Sequence, residues 1–85
     1  MKRTHVTYGQ LDKVLRALGF SRKVVTKEPP TSVYDHKETG AWIMLPCFPE
    51  DELVLDYHLV TVRTTLDGFG IADPSAFDAK LRKAG

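Results

Sequence analysis

Leu11, Val14, Leu15 and Leu18 recur at the i, i+3, i+4, i+7 spacing that places apolar side chains on one stripe of a helix. Just upstream, Thr7 and Gln10 have the spacing of a capping box, in which the threonine side chain accepts from a first-turn amide and the glutamine reaches back. Gly19 falls where a helix C-terminus takes a left-handed residue. The pattern therefore predicts a helix from about Tyr8 to Leu18, with Lys13 and Arg16 on its solvent side.

The period then changes. Phe20 to Thr26 carries Val24, Val25 and Thr26, β-branched residues that favour a strand, and Pro29 and Pro30 stop it because neither can donate to a ladder. Val33 to His36 predicts a second strand and Lys37 to Gly40 a turn. Ala41 to Leu45 is wholly apolar, which predicts a well-covered third strand ended by Pro46. The second and third strands are close enough for an antiparallel hairpin, with Gly40 supplying the positive backbone angle. Cys47 to Asp56, with Pro49 and the run Glu50, Asp51, Glu52, predicts a solvated loop.

Helical spacing returns at Leu59, Val62, Leu66 and Phe69 and is closed by Gly68 and Gly70, with Ile71 as the apolar contact beyond the cap. Asp73 and Pro74 form a helix start, and Phe77 and Leu81 give a last short helix one face to dock. The expected fold class is α+β: a helix, a three-stranded antiparallel sheet and a helix, plus a short C-terminal helix, in a single domain over residues 1–85. Tyr34 and Trp42 have the rings to stack on bases, but in a chain of this size they are expected in the core.

Eighty-five residues leave room for one domain, and 42% hydrophobic with 27% charged residues argue against a disordered tail. The formal net charge of +1 conceals a segregated distribution. Residues 1–27 carry seven basic groups and one acid, residues 28–56 one basic group and seven acids, and residues 57–85 four basic groups and three acids. The basic N-terminal stretch admits a nucleic-acid partner that the total would discourage. Within it, Lys13 and Arg16 on the first helix and Lys23 and Lys27 on or just after the first strand are the candidate phosphate contacts. The same cations also describe a plain solvated face. The acidic stretch is equally two-sided: Glu50, Asp51, Glu52 and Asp56 either solubilise a loop or neutralise a partner's basic surface.

Candidate chemistry is sparse. His5, His36 and His58 stand apart, no pair has metal-ligand spacing, and no metal or cofactor is expected. Cys47, the single cysteine, excludes an internal disulfide and reads as a small buried hydrophobe. No Gly-rich phosphate loop and no Gly-x-Ser-x-Gly elbow occurs. Met1, Lys2 and Arg3 are not followed by an apolar stretch, and the longest apolar run is short of a membrane span, so the expectation is a cytoplasmic protein without membrane contact. His36, at the end of the second strand, is a candidate catalytic base. Alternatively it is an edge histidine that caps a turn or satisfies a backbone carbonyl. Asp35 cannot orient it, because neighbours along a strand point to opposite faces.

Four segments resemble the HicA (YcfA-like) family of small bacterial toxins, whose fold is similar to double-stranded RNA-binding domains. Leu15 to Phe20 (LRALGF) matches the family's L…GF at the end of its first helix, and Val33 to His36 (VYDH) the aromatic-x-His ending of its second strand. Thr39 to Pro46 (TGAWIMLP) matches the glycine turn and third strand, and Arg63 to Ile71 (RTTLDGFGI) the R-x-x-L…G-I of helix two. The resemblance implies a ribonuclease toxin acting on messenger RNA and held silent by an antitoxin. The family's Gly-Ser-His triplet, whose histidine is catalytic, falls on Pro29, Pro30 and Thr31 in this chain, and Thr31 has no group that titrates near neutrality. The expectation is accordingly a HicA-like domain that binds RNA or an antitoxin-like protein partner, with weak or no ribonuclease activity. The alternatives are an active mRNA interferase using a substitute base such as His36, and a protein-interaction module.

Overall fold

In the computed structural model, which describes residues 3–26, 28 and 30–84, the chain runs β1 (Arg3–Thr7), α1 (Tyr8–Ala17), β2 (Ser21–Val25), β3 (Thr31–His36), β4 (Ala41–Pro46), β5 (Leu53–Leu55), α2 (Asp56–Gly68) and α3 (Pro74–Ala84). The fold is α+β, with the helix, three-stranded antiparallel sheet β2-β3-β4, second helix and C-terminal helix that the sequence predicts. To these it adds a separate antiparallel pair, β1-β5.

Helix α1 forms where its stripe predicts because both its ends are closed by local hydrogen bonds. The Gln10 amide donates to Thr7 Oγ1 at 3.1 Å and the Thr7 amide to Gln10 Oε1 at 2.7 Å, completing the capping box. The Tyr8 and Gly9 amides, which have no partner inside the helix, donate to the Glu52 and Glu50 carbonyls, both at 2.9 Å. At the other end the Phe20 amide reaches Leu15 O and the Gly19 amide reaches Arg16 O, both at 3.1 Å, a Schellman motif with Gly19 at φ +100°. Helix α2 ends on the same six-residue frame: Ile71 donates to Leu66 O and Gly70 to Asp67 O. Leu15 and Leu66 are both buried, so each frame anchors a helix end to the core.

Strand β3 is the centre of its sheet, paired with β2 through Arg22↔Tyr34 and with β4 through Tyr34↔Ile43. Alternation along β4 puts Ala41, Ile43 and Leu45 inward and Trp42, Met44 and Pro46 outward. The inward residues join Leu11, Leu15, Phe20, Tyr34, Val54, Val62, Leu66, Phe77 and Leu81 in one core. Phe77 is fully buried, which stabilises the docking of α3 by about 2–3 kcal/mol. Asp73 caps α3, accepting at Oδ1 from the Ala76 amide at 2.8 Å, and Arg63 of α2 pairs with Asp78 of α3 at 2.9 Å.

Four expectations are corrected. Residues 47–56 are not simply a solvated loop: Leu53–Leu55 pair with β1, and the carbonyls of the acidic run complete the first turn of α1. β3 begins at Thr31, two residues before the predicted start, because Thr31 and Ser32 pair with both neighbouring strands. β4 is covered on one face only, so Trp42 is 59% exposed while Tyr34 is in the core. Cys47 is only half-buried, and its sulfur lies 3.3 Å from Ser32 Oγ. Among the described residues, no helix is long and apolar enough to cross a membrane.

Candidate nucleic-acid interface

Of the four basic residues singled out from the sequence, the three that lie among the described residues do not form one patch. Lys13 is exposed on α1 and lines a hollow of about 260 Å³ against α3, whose Lys80 and Lys83 line it too, over a floor of Val14, Ala17 and Ala84. Among the described residues, the hollow is lined by three lysines and no carboxylate. Arg16 lies on α1 as well, but its guanidinium is paired with Asp12 at 3.0 Å, which offsets its charge. Lys23 pairs with Val33 in the ladder and projects from the sheet face that the helices leave uncovered. Lys27 lies outside the described residues.

A larger groove of about 460 Å³ opens between β1, α2 and α3, lined by His5, Gln10, Arg63, Asp78 and Arg82 over Val6, Leu59 and Leu81. Its central cation is already committed, since Arg63 binds Asp78. The lysine hollow is therefore the better candidate for an anion: none of the ion pairs among the described residues involves its lysines, so a phosphate would displace counterions, not protein partners.

Where α1 crosses β3, a polar cluster fills a gap in the core. The Tyr34 hydroxyl donates to Asp12 Oδ1 at 2.6 Å, and Arg22 donates through Nε and Nη2 to Ser32 Oγ at 3.2 and 3.1 Å. Arg22 Nε also lies 3.9 Å from Asp12 Oδ1. With both acceptor positions of Ser32 Oγ used by Arg22, its own proton points to Cys47 Sγ. The adjoining cavity is about 30 Å³, space for one or two waters and not for a nucleotide. Burial, and then the hydrogen bond to the Asp12 carboxylate, push the Tyr34 phenol well above the ordinary tyrosine range, so it keeps its proton at neutral pH. The cluster locks α1 to the sheet.

His36 is buried, and both its ring nitrogens are engaged. Nε2 lies 3.1 Å from the Leu18 carbonyl oxygen, which can only accept, so Nε2 carries the proton. Nδ1 lies 2.9 Å from Thr39 Oγ1, which also accepts from the Ala41 amide at 3.2 Å. In the neutral ring, the Thr39 hydroxyl therefore donates to Nδ1. A shallow hollow lined by Gly19, Ser21 and Lys37 lies beside the ring. Asp35 faces away, exposed, as strand alternation predicts. Thr31 opens β3 opposite Val25 and Pro46.

His58 is the third buried polar centre. Its Nδ1 lies 2.8 Å from the Tyr8 hydroxyl, which accepts from the Leu55 amide at 3.2 Å, and Phe48 stacks on Tyr8 with ring centroids 4.6 Å apart. Burial lowers the His58 pKa and raises that of Tyr8.

Lys80 and Lys83 are the functional candidates that sequence reasoning missed. Their i, i+3 spacing marks one face of a helix, but nothing in the sequence docks that face beside Lys13. Comparison of the chain with family models, with curated proteins and with solved structures finds no match.

Proposed function

We propose that this chain is a HicA-like domain that binds RNA through the α1–α3 face and has weak or no ribonuclease activity. The observation that carries the reading is the hollow lined by Lys13, Lys80 and Lys83 with no carboxylate among its described lining residues. Three ammonium groups at one concave site fit a phosphate backbone read by shape and charge, without base-edge contacts. Arg16, tied to Asp12, adds a weaker cation on the same helix as Lys13. The lack of catalysis is supported by the chemistry at the two positions where a base would act. Thr31 stands where the resembled family has its catalytic histidine, and His36 has both ring nitrogens in hydrogen bonds that hold the fold.

Fluorescence anisotropy of a labelled oligoribonucleotide, titrated at several salt concentrations, tests both halves. Binding should weaken steeply with salt, and Lys13→Ala, Lys80→Ala and Lys83→Ala should each flatten the log–log slope by about 0.7–0.9. The RNA should remain intact on a denaturing gel. Degradation by the pure protein overturns the lack of catalysis. Absence of binding at low salt overturns the RNA assignment and favours an antitoxin-like protein as the partner.

A further inference from the structure

Among the described residues no helix covers the outward face of the β2-β3-β4 sheet, and the ladder fixes what stands on it. Three rows cross it: Ser21–Asp35–Trp42, Lys23–Val33–Met44 and Val25–Thr31–Pro46. Trp42 is 59% exposed and Met44 53%, two large apolar side chains side by side on β4. Lys23, on edge strand β2, and Asp35, on central strand β3, are the only charged residues in the three rows. A nucleic acid would meet no net positive charge here, which argues against a phosphate backbone as occupant.

We propose that this face is a self-association surface, occupied by a second copy of the chain in an isologous dimer. A two-fold axis lying between two such faces, along their diagonal, exchanges rows for strands and crosses the two sheets at near right angles, a known mode of sheet packing. Under that operation Lys23 meets the partner copy's Asp35 and Asp35 its Lys23. Trp42 covers the partner copy's Val25, and the two Val33 side chains meet at the centre. Exchanging columns across an axis parallel to the strands would instead set Asp35 against its own copy, and an axis perpendicular to the strands would set Lys23 against its own copy. The diagonal arrangement alone pairs both charges with their opposites. Strand spacings of about 4.8 Å and row spacings of about 6.8 Å give the face a plan area on the order of 300 Å². That is well below the ~800 Å² per partner of stable complexes, so the dimer is weak and concentration-dependent. The proposal does not depend on the RNA reading, because the lysine hollow lies between α1 and α3 and not on this sheet face.

The chain's single tryptophan is the reporter. Sedimentation velocity between roughly 10 µM and 1 mM should show a growing dimer, with the Trp42 emission shifting to the blue over the same range. Lys23→Asp should weaken association at least about fivefold, and the exchanged pair Lys23→Asp with Asp35→Lys should restore it to within about twofold. Both positions are exposed, and an unchanged far-ultraviolet circular dichroism spectrum verifies folding. A monomer throughout that range overturns the proposal, as does an exchanged pair that fails to restore association. Quenching of Trp42 by an oligoribonucleotide in a protein that stays monomeric also overturns it and assigns the face to nucleic acid.

Discussion

The ring of His36 bridges two elements distant in sequence: its Nε2 donates to the Leu18 carbonyl oxygen at the C-cap of α1, 3.1 Å away, while Nδ1 meets Thr39 in the β3–β4 turn. A histidine placed this way is a bracket between a helix end and a hairpin. Removing it takes away two hydrogen bonds and a buried ring that packs on Phe20 with centroids 5.0 Å apart.

His36→Ala should therefore cost about 2–4 kcal/mol of stability in urea unfolding. RNA affinity, measured well below the variant's melting temperature, should stay within about twofold of the parent. Intact stability combined with lost binding or lost cleavage would instead place His36 in a functional role.

Gly19 tests the same bracket from the other side. Its backbone sits at φ +100°, and a Cβ there would come within 3.2 Å of His36 Nε2. Gly40 has a comparable φ of +76° but open space around it. Gly40→Ala should show the backbone penalty alone, about 1–2 kcal/mol. Gly19→Ala should lose more, because His36 must also shift from the Leu18 carbonyl. Equal losses in thermal unfolding would mean that the ring gives way without cost.

How far the sequence carried depends on the distance between interacting residues. The capping box at Thr7 and Gln10 and the helix ends at Gly19 and Gly70 were legible because each closes within six residues of chain. The β1-β5 pair was not, since Arg3↔Leu55 and Thr7↔Leu53 join short segments about fifty residues apart. An alternation at Thr4 and Val6 and the triplet Leu53, Val54, Leu55 were its only local signal. Ala41 to Leu45 misled for another reason. A continuous apolar run fits a strand covered on both faces or on one, and only the placement of the helices decides that Trp42 is outside. At the candidate site, Lys13 was legible from the polar side of its helix. Its junction with Lys80 and Lys83 is a tertiary fact.

Tyr34 and Asp12 make a second measurable junction, between β3 and α1. The hydroxyl donates to a carboxylate at 2.6 Å, the short, charge-assisted class of hydrogen bond. A double-mutant cycle with Tyr34→Phe and Asp12→Asn should give a coupling of about 1.5–3 kcal/mol in urea unfolding at pH 7. Asp12→Asn should be the more damaging single change, because Arg16 and Arg22 also face that carboxylate. A coupling near zero would show that the phenol finds another acceptor.

The pH dependence of stability should be traceable to His58. The His58 ring is buried, with Nδ1 2.8 Å from the Tyr8 hydroxyl, and burial disfavours its charged form. Burial keeps its folded pKa below the ordinary value of 6.5. Well above pH 6.5 neither the folded nor the unfolded chain binds this proton, and its contribution to stability is fully present. As the pH falls below 6.5, the unfolded chain takes up the proton first and the folded chain does not follow until its own, lower pKa. Stability should then decline by up to about 1.4 kcal/mol per pH unit from this group. His58→Gln retains a hydrogen-bonding partner for the Tyr8 hydroxyl and removes the titration, so its unfolding free energy should vary less between pH 7.5 and pH 5. The difference between the two pH profiles isolates His58 from the other histidines and from the carboxylates. Parallel profiles would mean that the buried ring accepts a proton in the folded state as readily as in the unfolded one.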